Sequence, residues 1–183
     1  MIKDFYLAAK TFGDSIFLLD RYFLSVPALQ KLQELTSKSS AHMEIITKAK
    51  ANCTAYEKSS PRKPRRGRPP KRGGTAIHLE YLFESHKERF RETEMVLYGK
   101  KENMRYYNID LLWRQKLYQE LRFVLVEYNG TQSVLTVTYL RSDPLSMIRL
   151  YSFRFRTEYI FRELKRQTET FCYHFWSKQI TLS

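Results

Sequence analysis

Fourteen consecutive residues, Pro61 to Gly74, cannot join a hydrophobic core, and they divide what this chain can fold into. They hold seven Lys or Arg residues, four prolines and three glycines, with no acid and no hydrophobic side chain. Such a stretch reads as an extended connector. The fold must therefore be built by its flanks. Three parts are expected: 1–52, a β-rich segment 53–140 carrying the connector at 61–74, and a helical segment 141–183.

The opening segment has helical and strand patterns in alternation. Ile2 to Thr11 reads as the end of an amphipathic helix with Phe5, Ala8, Ala9 and Phe12 available for burial, and Gly13 closes it. Ser15 to Leu19 is a short apolar run ending in Asp20, a buried-strand pattern. Leu29, Leu32 and Leu35 repeat at helical spacing behind Pro27, and Met43 to Lys50 suggests a second strand. Strand, helix, strand in this order implies a parallel pair with the helix as crossover. After the connector, His78 to Phe90 is expected to form a short helix. Strands are expected over Met95–Tyr98, Met104–Ile109, Leu121–Tyr128 and Ser133–Leu140, the last two joined by the hairpin signal Asn129-Gly130.

Net charge narrows the class of partner. The chain carries +13, and removing the connector's seven cations leaves +6 elsewhere. Nucleic acid is the default polyanion for such a balance, with an anionic membrane surface as the weaker alternative. Hydrophobic content of 43% suffices for a core, yet no apolar run is long enough to span a bilayer. No secretion signal is visible at Met-Ile-Lys-Asp-Phe-Tyr. Cys53 and Cys172 stand alone, and His42, His78, His86 and His174 lack ligand spacing, which argues against a zinc site and for reduced thiols.

One helix near the end carries the chemistry. Tyr151, Arg154, Glu158 and Lys165, spaced Tyr-x2-Arg-x3-Glu-x6-Lys, fall on one helical face. Leu150, Phe153, Ile160, Phe161 and Leu164 occupy another sector, expected to pack on the core. A carboxylate among two cations and a phenol suits a surface that holds a divalent metal beside a phosphate backbone. The plainer alternative is a solvated face in which Glu158 pairs with Arg162.

These four residues match the Tyr-Arg-Glu-Lys signature of bacterial insertion-sequence transposases of the DDE type. The segment Gly13 to Phe23, a hydrophobic strand ending in Asp20-Arg21, resembles that family's second catalytic block, and the likeness extends over nearly the whole chain. The resemblance implies an α/β fold, an incomplete ribonuclease-H-like core interrupted by a β-rich insertion. It implies two-metal DNA cleavage and strand transfer with Mg²⁺ or Mn²⁺, Asp20 and Glu158 serving as catalytic and metal-binding acids. Tyr151, Arg154 and Lys165 would contact DNA. Asp20 also has a plainer reading, a turn or capping residue beside Arg21.

The same family needs a further Asp on a strand upstream of Asp20, and Asp4 and Asp14 are placed in a helix and at a strand's start. The expectation is therefore a truncated, catalytically incomplete copy, begun at an internal Met. Double-stranded DNA is the expected partner, with self-association possible and neither membrane nor small-molecule substrate. The expected location is cytoplasmic, with the nucleoid. A non-catalytic DNA-binding remnant is the competing function.

Two smaller signals stay open. Arg66-Gly67-Arg68-Pro69 matches an AT-hook core whose arginines, Arg66 and Arg68, would reach narrow A·T minor grooves, and it equally fits a solvated basic linker. Trp113, Tyr106, Tyr107 and Tyr118 interleave with Arg105, Arg114 and Lys116, which suits either base stacking or strand core. The tail at Tyr173 to Trp176 reads as core packing behind the signature helix.

Overall fold

A computed structural model describes residues 2–38, 41–50, 52–59, 72–74, 76–97, 99–113 and 117–168. The opening folds as its pattern requires. Helix α1 (Ile2–Phe12) buries Tyr6 and Ala9 and stops at Gly13, whose φ of +90° suits glycine and whose N–H donates to the Ala9 carbonyl at 2.8 Å. Strand β1 (Ser15–Leu19) leads through a short 3₁₀ turn to helix α2 (Val26–Ser37). Ser25 Oγ caps α2 by accepting from the Ala28 N–H at 3.4 Å, and Pro27 lies in the first turn. Strand β2 (Met43–Lys48) then pairs parallel to β1, from Ser15 opposite Met43 to Leu19 opposite Thr47. The expected crossover unit is therefore present.

Beyond it the chain is antiparallel. Strands β3 (Thr54–Tyr56) and β4 (Ala76–His78) pair on either side of the basic connector. A single turn, α3 (Leu82–Ser85), sits between 3₁₀ turns at Leu79–Tyr81 and Lys87–Arg89. These short pieces replace the one helix expected over 78–90, and they still bury Leu79, Leu82, Phe83 and Phe90. Strands β5 (Arg91–Leu97), β6 (Lys100–Trp113), β7 (Gln119–Tyr128) and β8 (Thr131–Val137) follow, then helix α4 (Pro144–Thr168). Asn129 (φ +47°) and Gly130 (φ +69°) both adopt the left-handed region, the backbone that a two-residue hairpin turn demands.

Among the described residues eight strands form one open mixed sheet, β1-β2-β8-β7-β6-β3-β4, with β5 also paired to β6. The antiparallel β2–β8 pairing joins the opening to the β-rich block. Strand β7 shows why the sheet needs cover on both sides: Leu121, Phe123 and Leu125 point into one core, Val124 and Val126 into the other. The first core collects α1, α2 and the α3 region through Tyr6, Leu29, Leu32 and Phe83. The second is roofed by α4 through Met147, Ile148 and Tyr151. The chain is thus mixed α/β, with helices on both faces.

Candidate functional site

Strand β1 delivers Asp20 to the sheet's carboxyl edge, the place where open parallel pairs present ligand-binding groups. Three contacts fix it. Its carbonyl accepts from the Thr47 hydroxyl at 2.8 Å and from the Phe23 N–H at 2.9 Å, and its Oδ1 accepts from the Tyr22 N–H at 3.4 Å. The capping role of Asp20 is therefore present in the fold. Its second oxygen does something a cap does not require: Oδ2 accepts from Arg154 Nη2 at 2.7 Å, across 134 residues of sequence.

Arg154 belongs to α4, which lies against the β7–β8 face with Met147, Ile148 and Tyr151 buried beneath it. On the helix backbone, position 158 is one turn past Arg154 on the same face. Of the signature residues, Tyr151 and Arg154 meet the sheet. The side chains of Glu158 and Lys165 lie outside the described residues.

Two expectations for this helix need correction. Tyr151, expected on a solvent-facing polar row as a DNA contact, is only 4% exposed and packs in the core. The sector expected inside is largely outside, since Phe153, Ile160 and Leu164 are 44%, 54% and 48% exposed. The cause is the composition of α4, which is apolar on more than one side. Periodicity defined two apolar-capable faces, and packing against Val126 and Leu135 selected the one centred on Met147 and Tyr151, where a phenol ring contributes a large buried area. Arg154 itself, expected to meet phosphate, is engaged by Asp20, with its guanidinium 5.9 Å from the Tyr151 ring centroid.

Mg²⁺ or Mn²⁺ would need several converging oxygens. Among the described residues no group of three or more His, Cys, Asp or Glu side chains comes together. Asp20 offers one carboxylate, and a guanidinium already neutralises it. As they stand, these residues do not fit a pair of divalent cations.

The remaining candidates divide between core and connector. Trp113 is buried, donating its indole N–H to Cys53 Sγ at 3.2 Å, and Tyr106 is buried beside Met104 and Val126. Tyr107 stacks on His86 with centroids 5.5 Å apart, and Tyr118 meets the edge of Tyr56. For Trp113, Tyr106 and Tyr107 the strand-core reading holds. Arg66, Arg68, Arg114, Lys116, Cys172 and the Tyr173–Trp176 tail lie outside the described residues.

Two features escaped the sequence reading. Arg122 on β7 donates through Nε and Nη2 to both oxygens of Asp110 on β6, at 2.7 and 2.8 Å, and through Nη1 to the Ser142 carbonyl at 2.7 Å. A lone Arg interrupting the apolar run of β7 was the available signal. The second is a cleft of about 770 Å³ beside Asp20, bounded by Arg21, Tyr22, Lys50, Tyr56 and the start of α2. It is assembled from segments far apart in sequence, so no local pattern announced it. Among the described residues no helix is long and apolar enough to cross a membrane. No known protein family, curated protein or solved structure matches this chain.

Proposed function

We propose that this chain is part of the catalytic region of a DDE-type insertion-sequence transposase, with an incomplete ribonuclease-H-like core, and that by itself it binds DNA without cutting it. The observation that carries the reading is the Asp20–Arg154 ion pair. It ties the carboxyl end of β1 to α4 one turn before position 158, which is the relation the resemblance requires of its strand acid and helix acid. The parallel β1–β2 unit with α2 as crossover supports the same reading. So does the order of elements, with a β-rich block preceding the signature helix.

Incompleteness follows from the acids in hand. Two carboxylates, one of them salt-bridged, fall short of what a two-metal centre uses. Among the described residues β1 pairs only with β2, so its other edge is open to a further strand bearing a third acid. The second reading, a purely non-catalytic DNA-binding protein, is favoured by that same neutralised carboxylate and by the charge of +13.

Mn²⁺ titration of folded protein separates the two. Arg154→Ala should free Asp20 and create weak Mn²⁺ binding, and adding Glu158→Ala should abolish it. If Arg154→Ala gains no Mn²⁺ binding, or keeps it without Glu158, the two acids do not converge and the transposase reading falls. The unaltered chain should show no Mg²⁺-dependent nicking of duplex DNA. Nicking abolished by Glu158→Ala would overturn the claim of incompleteness.

A further inference from the structure

We infer that the cleft beside Asp20 binds a single-stranded segment of DNA, its phosphates held by Arg21 and Lys50 and one base stacked on Tyr22. The inference rests on the nucleic-acid part of the proposed function but not on transposase ancestry.

The cleft is built where β1 and β2 end. Arg21 and Tyr22 follow directly from β1, Lys50 follows β2, and Ser25 to Pro27 bring in the N-terminal turn of α2. Every ionisable group lining it that carries charge at neutral pH is a cation, Arg21 or Lys50. The first turn of the 12-residue α2 adds its partial positive charge to the same wall. Opposite lies Tyr56, whose ring carries the Arg72 guanidinium at 4.4 Å, so a third cation is held at this end.

An anion alone would explain the cations and leave Tyr22 unexplained. Tyr22 is 77% exposed, a large aromatic surface left in water at the mouth of a basic cleft, with the Arg21 guanidinium 6.0 Å from its centroid. A ring and cations presented together match a ligand that is both planar and anionic, which describes a nucleotide unit. Size selects the form. A volume of about 770 Å³ accommodates one or two nucleotides and excludes a duplex. A base must be unpaired to lie flat on Tyr22, so the strand is single where it enters.

The cleft lies next to the acid that the proposed function singles out, because Arg21, which lines it, is the residue after Asp20. Repulsion from the Asp20 carboxylate is limited there by the guanidinium already bound to it.

The test is fluorescence anisotropy with the full chain, comparing a labelled oligothymidine with a blunt duplex, and competing each with free thymidine monophosphate. Tyr22→Ala should weaken the oligothymidine about tenfold, the scale of one lost base stack, and change duplex binding less than about twofold. Tyr22→Phe should restore the stacking. Arg21→Ala with Lys50→Ala should flatten the salt dependence for the single strand by about 1.4 in log–log slope, two phosphates' worth. Because all three side chains are exposed, thermal melts of the variants should match the parent. Equal weakening of single strand and duplex by Tyr22→Ala, no weakening of either, or competition by the mononucleotide at the oligomer's own concentration would each overturn the assignment. Retained single-strand binding with failed Mn²⁺ convergence would sink the transposase reading and leave this one standing.

Discussion

Two arginines hold α4 to the sheet, and they do so in opposite ways. Arg122 lies at the helix's approach, with three of its nitrogens donating to Asp110 and to the Ser142 carbonyl, two residues before Pro144. Asp110 and Arg122 are directly opposed in the β6–β7 register, so the backbone delivers both partners already aligned. The hydrogen bond to Asp110 also keeps the Arg122 guanidinium even more firmly charged than usual. Arg154 sits further along the helix and reaches Asp20 through one nitrogen and one oxygen. Its partner Asp20 is 41% exposed, against 31% for Asp110 in the other pair. A forked pair in a half-dry setting fixes geometry. A single-point pair whose carboxylate is substantially solvated can exchange its partner for a phosphate or a cation. The first is a clamp and the second a latch.

That contrast predicts unequal costs. Arg122→Ala should be the most damaging, leaving Asp110 and the Ser142 carbonyl without their donor and lowering stability by about 3 kcal/mol. For a chain of this size that corresponds to a fall of roughly 10 °C in Tm, read by thermal unfolding followed by circular dichroism. Replacing both partners, Arg122→Met with Asp110→Leu, should recover most of the loss, because no charge is then stranded. Arg154→Ala should cost only about 1 kcal/mol, as its partner is substantially solvated. The clamp-and-latch distinction breaks if Arg154→Ala proves the costlier of the two.

A latch should also respond in binding. Asp20→Asn keeps an oxygen able to cap the Tyr22 N–H, so the fold should be little affected. It removes the charge that occupies Arg154. Duplex affinity should rise by about threefold, the scale of one exposed charge contact, in anisotropy titrations at low salt. A fall in affinity would mean that Asp20 organises the DNA-binding surface rather than masking part of it.

The two residues of the latch were legible in the sequence but their pairing was not, and little of the clamp was. Asp20 announced itself by closing a five-residue apolar strand, and the helix carrying Arg154 by its spacing. The α1–β1–α2–β2 opening and the Asn129-Gly130 hairpin were equally readable, because each depends on neighbours in sequence. Which side of α4 turns inward was not readable, because the sheet chose between two apolar-capable faces. The strands β3 and β4 are three residues long each, too short for any periodicity to register, and they exist because β6 offers Leu112 and Trp113 as a template for β3. The Arg122–Asp110 pair depends on register between strands. Register is a tertiary fact.

The smallest effect concerns a carboxylate with neither clamp nor latch. Glu44 on β2 is held by the Thr138 hydroxyl, which donates to its Oε2 while accepting from the Ile45 N–H. Burial pushes its carboxyl above the usual value of 4.5, a shift opposed by the Thr138 hydrogen bond and by the charge of His42. A raised folded-state value means that folding favours the protonated form. The associated stability is present below pH 4.5 and is lost as pH climbs through the raised value. Glu44→Gln keeps an acceptor for Thr138 and removes the charge, so it should raise Tm slightly at neutral pH and have almost no effect in acid. Parallel unfolding curves across that window would show that Glu44 escapes its burial in solution. Loss of stability at neutral pH on Glu44→Gln would instead mean that the ionised carboxylate is drawing on a cation.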